Sequence, residues 1–295
     1  MLPDIQMLRN AARQASACAE RLRLPLRTRV WQGAAGELIG TGSGSSMDFQ
    51  DHRPYFPGDD PRHINWQAYA RTGQYTMKLY REEVRPAVDI LFDASPSMFL
   101  TPEKALRSAE LLHFAVECAR RAGAGLSIHL LCATAVQTIG LAAVESLRWV
   151  DEIPAADAPP NLLPDLHSIH LRTNGLRILI TDLLFTGEPA VPLRALGQGH
   201  GSSIVLCPFA PEEAAPTWAG PCDFLDVESG HRESRHIDAP VMRRYRAAYD
   251  IHFQRWKEQT ARFRTPLARI PAIGSLNDAL AVGALPTGAV EVSNQ

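Results

Sequence analysis

The spacing of apolar residues changes several times along the chain, and each change predicts a different element. Residues 7–24 carry Leu and Ala at helical intervals with Arg between them, which predicts an amphipathic helix. From residue 28 to residue 60 that period is lost. Gly, Ser and short apolar stretches take over (RVWQGAAGELIGTGSGSSMDFQDHRPYFPGDD), the pattern of short strands joined by turns and loops. The stretch YTMKLYREE then reads as a hairpin strand. It runs into RPAVDILFDAS, where Val88, Ile90, Leu91 and Phe92 predict a strand buried on both faces.

Beyond that strand the chain alternates between helical and strand patterns. A long helix is predicted over residues 102–122, with Pro102 in the permitted first turn and Gly123 and Gly125 at its end. LSIHLLCA follows as a strand, residues 136–141 as an edge or hairpin strand, and residues 144–153 as a short helix. ADAPPNLLP is a proline-rich break. LRILITDLLF is a second buried strand running into a loop, followed by a short helix over 191–196. SSIVLCPF and DFLDVE read as strands, residues 241–263 as a long helix, 267–271 as a last strand and 277–282 as a closing helix.

This alternation implies an α/β fold, a doubly wound and mostly parallel sheet with helices on both faces. An N-terminal helix and a small β-rich extension precede it. The expected division is residues 1–86 for that N-terminal region and 87–295 for the α/β domain. No internal repeat is present.

Composition leaves this picture intact and removes several functions. With 45% hydrophobic and 21% charged residues in a chain of 295, a sizeable core can form. The net charge of −2 provides no global field to attract nucleic acid or acidic lipid. Arg243, Arg244 and Arg246 alternate with apolar residues at helical spacing, as on a solvated helix face. The cysteines at 18, 118, 132, 207 and 222 include no Cys-x-x-Cys pair, so neither a zinc site nor a disulfide framework is expected. No run of eighteen apolar residues exists, and the first residues are charged where a signal peptide is apolar. A cytoplasmic protein without direct membrane insertion is expected.

The candidate chemistry lies at two strand ends. One strand closes on Asp93, followed by Ala94-Ser95-Pro96-Ser97; the other reads Ile178-Leu179-Ile180-Thr181-Asp182. In doubly wound sheets ligands collect beyond the C-terminal ends of the strands. Asp93-x-Ser95-x-Ser97 sets one carboxylate and two hydroxyls at alternate positions of a tight loop. Such hard oxygen donors suit Mg²⁺ or Mn²⁺, and Asp182 can complete the shell directly or through water. Asp and Ser are also ordinary turn and helix-capping residues, so a plain loop leading into the helix is the competing reading. The histidines at 52, 63, 113, 129, 231 and 236 are scattered and suggest no ligand set.

The D-x-S-x-S loop with a later strand-end Asp resembles the metal-ion-dependent adhesion site of von Willebrand factor A domains. The upstream segment resembles the signature of the domain of unknown function 58 family. It stands here as Asp48-Phe49, Arg53, Tyr55, Pro57-Gly58-Asp59-Asp60, Arg62 and Ile64-Asn65-Trp66. Asn65 stands where the family usually has Asp. The adhesion-site Thr expected before Asp182 has no counterpart in PPNLLPDL, where Asn161 is the candidate substitute.

The resemblance implies a von Willebrand factor A-like fold and a non-enzymatic adaptor, metal-dependent through Asp93, Ser95, Ser97 and Asp182. Its implied partners are a MoxR-type AAA+ ATPase and other von Willebrand A-like proteins, acting in client remodelling or maturation. The chain has no Gly-x-x-x-x-Gly-Lys-Ser/Thr loop of its own, so ATP hydrolysis is not expected of it. Two alternatives remain: a metal-free scaffold of the same fold, and a metal-dependent phosphohydrolase with Lys104 as phosphate anchor. In the signature segment, Gly58-Asp59-Asp60 reads as a tight turn, with Tyr55, Trp66 and Tyr69 expected to pack beneath it.

Overall fold

The computed structural model describes residues 2–26, 47–57, 61–82, 85–155, 163 and 165–293. Two compact units emerge, one of residues 1–26 with 87–295 and one of residues 27–86. The N-terminal helix therefore belongs with the large sheet and not with the β-rich extension, a different division from the one expected at residue 86.

The larger unit begins with α1 (Ile5–Cys18) and β1 (Leu22–Arg23). The smaller unit holds β2 (Met47–Pro54), α2 (Trp66–Thr72) and β3 (Thr76–Glu82). The chain then returns to the larger unit with β4 (Ala87–Asp93), α3 (Pro102–Arg121), β5 (Gly125–Cys132), β6 (Ala135–Ile139) and α4 (Leu141–Glu145). Next come β7 (Leu176–Ile180), α5 (Ala190–Leu196), β8 (Ser202–Phe209), α6 (Pro211–Ala214), β9 (Gly220–Leu225) and β10 (Arg232–Ile237). The last elements are α7 (Ala239–Arg262), β11 (Leu267–Pro271), α8 (Leu276–Gly283) and β12 (Glu291–Val292).

The main sheet has the order β11-β8-β7-β4-β5-β6. Five strands run parallel, and β6 closes one edge antiparallel to β5. The first strand in the chain, β4, lies in the middle, so the winding direction reverses between β4 and β7. Both strands are buried along nearly their whole length, as their apolar runs, each interrupted by a single charged residue (Asp89, Arg177), lead one to expect. Alternate residues feed two cores. Val88, Ile90 and Phe92 face α1, α3 and α8, whereas Leu91, Leu179 and Val205 face α5 and α7. At the opposite end of β4, buried Asp89 is held by the backbone N–H and guanidinium of Arg172, at 3.0 and 2.9 Å.

Two expected elements change form. The helix predicted over 7–24 stops at Cys18, and Leu22 and Leu24 are buried around exposed Arg23. Leu-Arg-Leu satisfies a two-residue period as well as a helical one, and pairing with β12 selects the strand. DFLDVE is no part of the main sheet: β9 pairs only with β10, in an antiparallel hairpin. Its alternating burial fits a ribbon with one covered face.

In the smaller unit, β2 and β3 pair antiparallel with a bulge between Phe49 and Asp51. Asn65 caps α2, its side-chain oxygen accepting the Ala68 N–H at 3.2 Å. Asn and Asp cap helices about equally well, so the cap is kept without the charge. Trp66 is 57% exposed and meets Tyr69 and Tyr75 edge-on, while the turn it was expected to pack beneath lies outside the described residues. Gly58-Asp59-Asp60, residues 28–46 and Asn161 lie outside the described residues.

Candidate functional site

Asp93 ends β4, and Asp182 lies two residues past the end of the neighbouring β7, so both occupy the place where the sheet's winding reverses. The structure brings all four sequence-predicted residues together. Asp93, Ser95, Ser97 and Asp182 line one cavity of about 20 Å³ with Ala133, Leu163, Leu184, Phe185 and Glu228. That volume holds one water molecule or one small ion.

The loops are shaped to aim these groups. The Asp93 Oδ1 accepts the Ser95 N–H at 3.0 Å, turning the chain sharply after the strand. The Ser95 and Ser97 hydroxyls then stand 3.1 Å apart. After β7, Leu183 adopts a left-handed conformation at φ 62°, as Ala133 does at φ 50° after β5. Non-glycine residues held there cost about 1–3 kcal/mol each. The Leu183 turn is secured by the Thr181 hydroxyl, which accepts the Leu183 N–H, and by Asp182 Oδ1, which accepts the Leu184 N–H at 3.0 Å.

The two carboxylates are electrostatically unequal. Asp93 is 6% exposed and makes no ion pair among the described residues. Its Oδ2 accepts the Thr181 hydroxyl at 2.7 Å. Burial, then the charge of Asp182, pushes its carboxyl up to about 6. Asp182, by contrast, is ion-paired through Oδ2 with the Lys104 ammonium at 2.9 Å. Lys104 is fully buried and also pairs with Glu213 on α6. Burial opposes the lysine's charge, but Asp182 and Glu213 outweigh it and raise its pKa. With all three carboxylates ionised, Asp93, Asp182 and Glu213 against one ammonium leave this buried group with two excess negative charges.

Three contributors were not foreseen. Thr181 stands within the second strand-end motif, yet only the sheet register shows that its hydroxyl meets Asp93. Glu213 is 109 residues from Lys104 in sequence. Glu228 arrives from the turn between β9 and β10, and its Oε1 accepts the Ser97 N–H at 3.0 Å. No spacing rule links Glu228 to a loop 131 residues earlier.

Among the described residues, no three His, Cys, Asp or Glu side chains gather as a metal-binding group. Any cation here would therefore draw on the serine hydroxyls as well as the carboxylates. His113 is buried, and burial pushes it down to about 4; His129 bonds Thr138 at 2.9 Å. Neither approaches the cavity lining. All five cysteines are free.

The profile of the family described as "Protein of unknown function DUF58" matches residues 51–259. The chain belongs to the DUF58 family. The match takes in both strand-end motifs, the Lys104 helix and the β9–β10 hairpin of this DUF58 protein. A search of curated proteins finds no match. Among solved structures, the chain is similar to a conserved hypothetical protein, BatB, from Bacteroides thetaiotaomicron. The identity is 14% and the TM-score 0.37, over 67% of this chain and 96% of that one. No described helix is long and apolar enough to cross a membrane.

Proposed function

We propose that this DUF58 protein is a von Willebrand factor A-like, non-enzymatic adaptor that captures partner proteins with the help of a divalent cation, Mg²⁺ or Mn²⁺. The observation that supports it best is convergence. Asp93, Ser95, Ser97 and Asp182 meet at the reversal point of the sheet, around a cavity sized for a small ion. The donor set fits such an ion, since it contains only hard oxygens and carries uncompensated negative charge at Asp93. A bound cation would supply positive charge and an open coordination position for a partner's carboxylate. Asp93 would be its main anionic donor. Asp182, already holding Lys104, would contribute its remaining lone pairs or hold a water.

The resemblance to the family's metal-linked adaptors points to a MoxR-type AAA+ ATPase and other von Willebrand A-like proteins as partners. Titrating Mg²⁺ and Mn²⁺ calorimetrically into wild type and Asp93→Ala tests the site. Saturable 1:1 binding to wild type that the variant loses is expected; equal heats from both would overturn the assignment. A MoxR-type ATPase retained in Mg²⁺ and released in EDTA is the expected partner result.

One observation favours a second reading, a metal-free scaffold. Lys104 already gives Asp182 the positive charge that an ion would otherwise provide. Undiminished partner capture in EDTA would favour it. The phosphohydrolase alternative has less support, because Lys104 is 0% exposed and engaged by two carboxylates, out of reach of a phosphate in the cavity.

A further inference from the structure

The turn between β9 and β10 is built as a rigid holder. The Asp226 side chain accepts the Glu228 N–H at 3.0 Å through Oδ1 and the Ser229 hydroxyl at 2.6 Å through Oδ2. The Asp226 backbone closes the turn with His231 and Gly230, each at 2.8 Å. Gly230, at φ 70°, takes the left-handed position that a side chain would strain. What this turn presents is the Glu228 carboxylate, which lines the cavity and accepts the Ser97 N–H.

Glu228 brings a further negative charge to a group in which carboxylates already outnumber the ammonium by two. Nothing in the core explains that choice: Glu228 is only partly buried and makes no ion pair among the described residues. Its hairpin is attached to the unit at its two ends and pairs with no strand of the main sheet. Next to Glu228 in sequence, Val227 is 36% exposed, and Leu184 in the cavity lining is 37% exposed. The mouth is thus an acidic group on a peptide N–H donor, with apolar residues beside it. A partner offering a carboxylate flanked by apolar side chains would make the same contacts.

We propose that Glu228 is an in-chain stand-in for the partner's carboxylate, so that the β9–β10 turn covers the site until an acidic partner segment displaces it. This rests on the cation-dependent capture proposed above and adds the group that competes with it. A covered site binds more weakly by the fraction of time it is free. If the mouth is free in about one molecule in ten, removing Glu228 tightens capture about tenfold.

The test uses a capped pentapeptide with one central glutamate between leucines, and its glutamine counterpart, titrated into the full chain in Mg²⁺. Glu228→Ala should bind the glutamate peptide about tenfold more tightly than wild type, and Glu228→Gln to an intermediate degree. The glutamine peptide should gain nothing. Amide exchange in residues 226–231 of wild type should speed up when the glutamate peptide binds. Mg²⁺ binding with equal peptide affinities in wild type and Glu228→Ala would overturn the stand-in alone. Weaker Mg²⁺ binding by Glu228→Ala, with no gain for the peptide, would make Glu228 a permanent ligand and overturn it too. Absence of Mg²⁺ binding to wild type would remove the underlying site, and the stand-in with it.

Discussion

Lys104 is the residue on which the buried charges depend, and replacing it with methionine exposes their cost. Methionine keeps most of the lysine stem, so the cavity left behind is small and the loss is chiefly that of the ammonium. Asp182, 2% exposed, and Glu213, 9% exposed, would then face each other with no cation between them. Breaking a buried pair from one side typically costs about 3–5 kcal/mol, because the remaining charge cannot reach water. Two stranded carboxylates put Lys104→Met at the upper end, tempered by proton uptake on one of them.

Urea unfolding, followed by tryptophan fluorescence, measures this, since Trp149 and Trp256 are fully buried in the two cores of the larger unit. Adding Glu213→Gln to Lys104→Met should recover about 1–2 kcal/mol by removing one unpaired charge. Mg²⁺ should stabilise Lys104→Met more than wild type, because Asp182 Oδ2 is released toward the cavity. A loss below about 1 kcal/mol with an unchanged slope would refute this dependence of the buried carboxylates on Lys104.

Asp93 and Glu110 carry pH predictions with the same sign. Each has a raised folded-state pKa, so the native protein keeps a proton that the unfolded chain has already released, and stability falls as pH rises between the two values. For Asp93 the window runs from 3.8 to about 6; Asp93→Asn in EDTA should gain about 3 kcal/mol relative to wild type on going from pH 4 to pH 7.5, and a constant difference would contradict it. For Glu110, burial outweighs Arg107 at 3.3 Å and raises the carboxyl from 4.5 to about 7. Glu110→Gln should match wild type near pH 4.5 and exceed it by about 3 kcal/mol at pH 8, read as a shift in urea midpoint. Trp66→Ala should cost less than about 1 kcal/mol, since the ring is more than half exposed; a larger fall in stability would mean that the ring is covered in solution.

The fold was legible where burial and period agree. The runs at 88–92 and 176–180 are apolar on both faces but for Asp89 and Arg177, and such strands belong inside a parallel sheet covered on both sides. A carboxylate directly after such a run marks a strand mouth, and both strand-end aspartates line the cavity for that reason. What escaped the sequence depends on distance along the chain. DFLDVE has strand character, but nothing in it says whether it joins the sheet or pairs locally with RESRHI, and it does the latter. Lys104 enters the sequence reading only as a candidate phosphate anchor, and only the three-dimensional packing gives it two carboxylates. Trp66 follows from the signature as a residue but not as an environment, because its burial is set by neighbours rather than by its own position in α2.

On the proposed function, oxygen donors from two adjacent strand ends hold one cation at the reversal point of the sheet. Anomalous diffraction from crystals grown with Mn²⁺ tests it most directly. A single strong peak within about 2.0–2.4 Å of oxygens from Asp93, Ser95 and Ser97 is predicted. Strong Mn²⁺ peaks elsewhere, with none in the cavity beside Asp93, would contradict it.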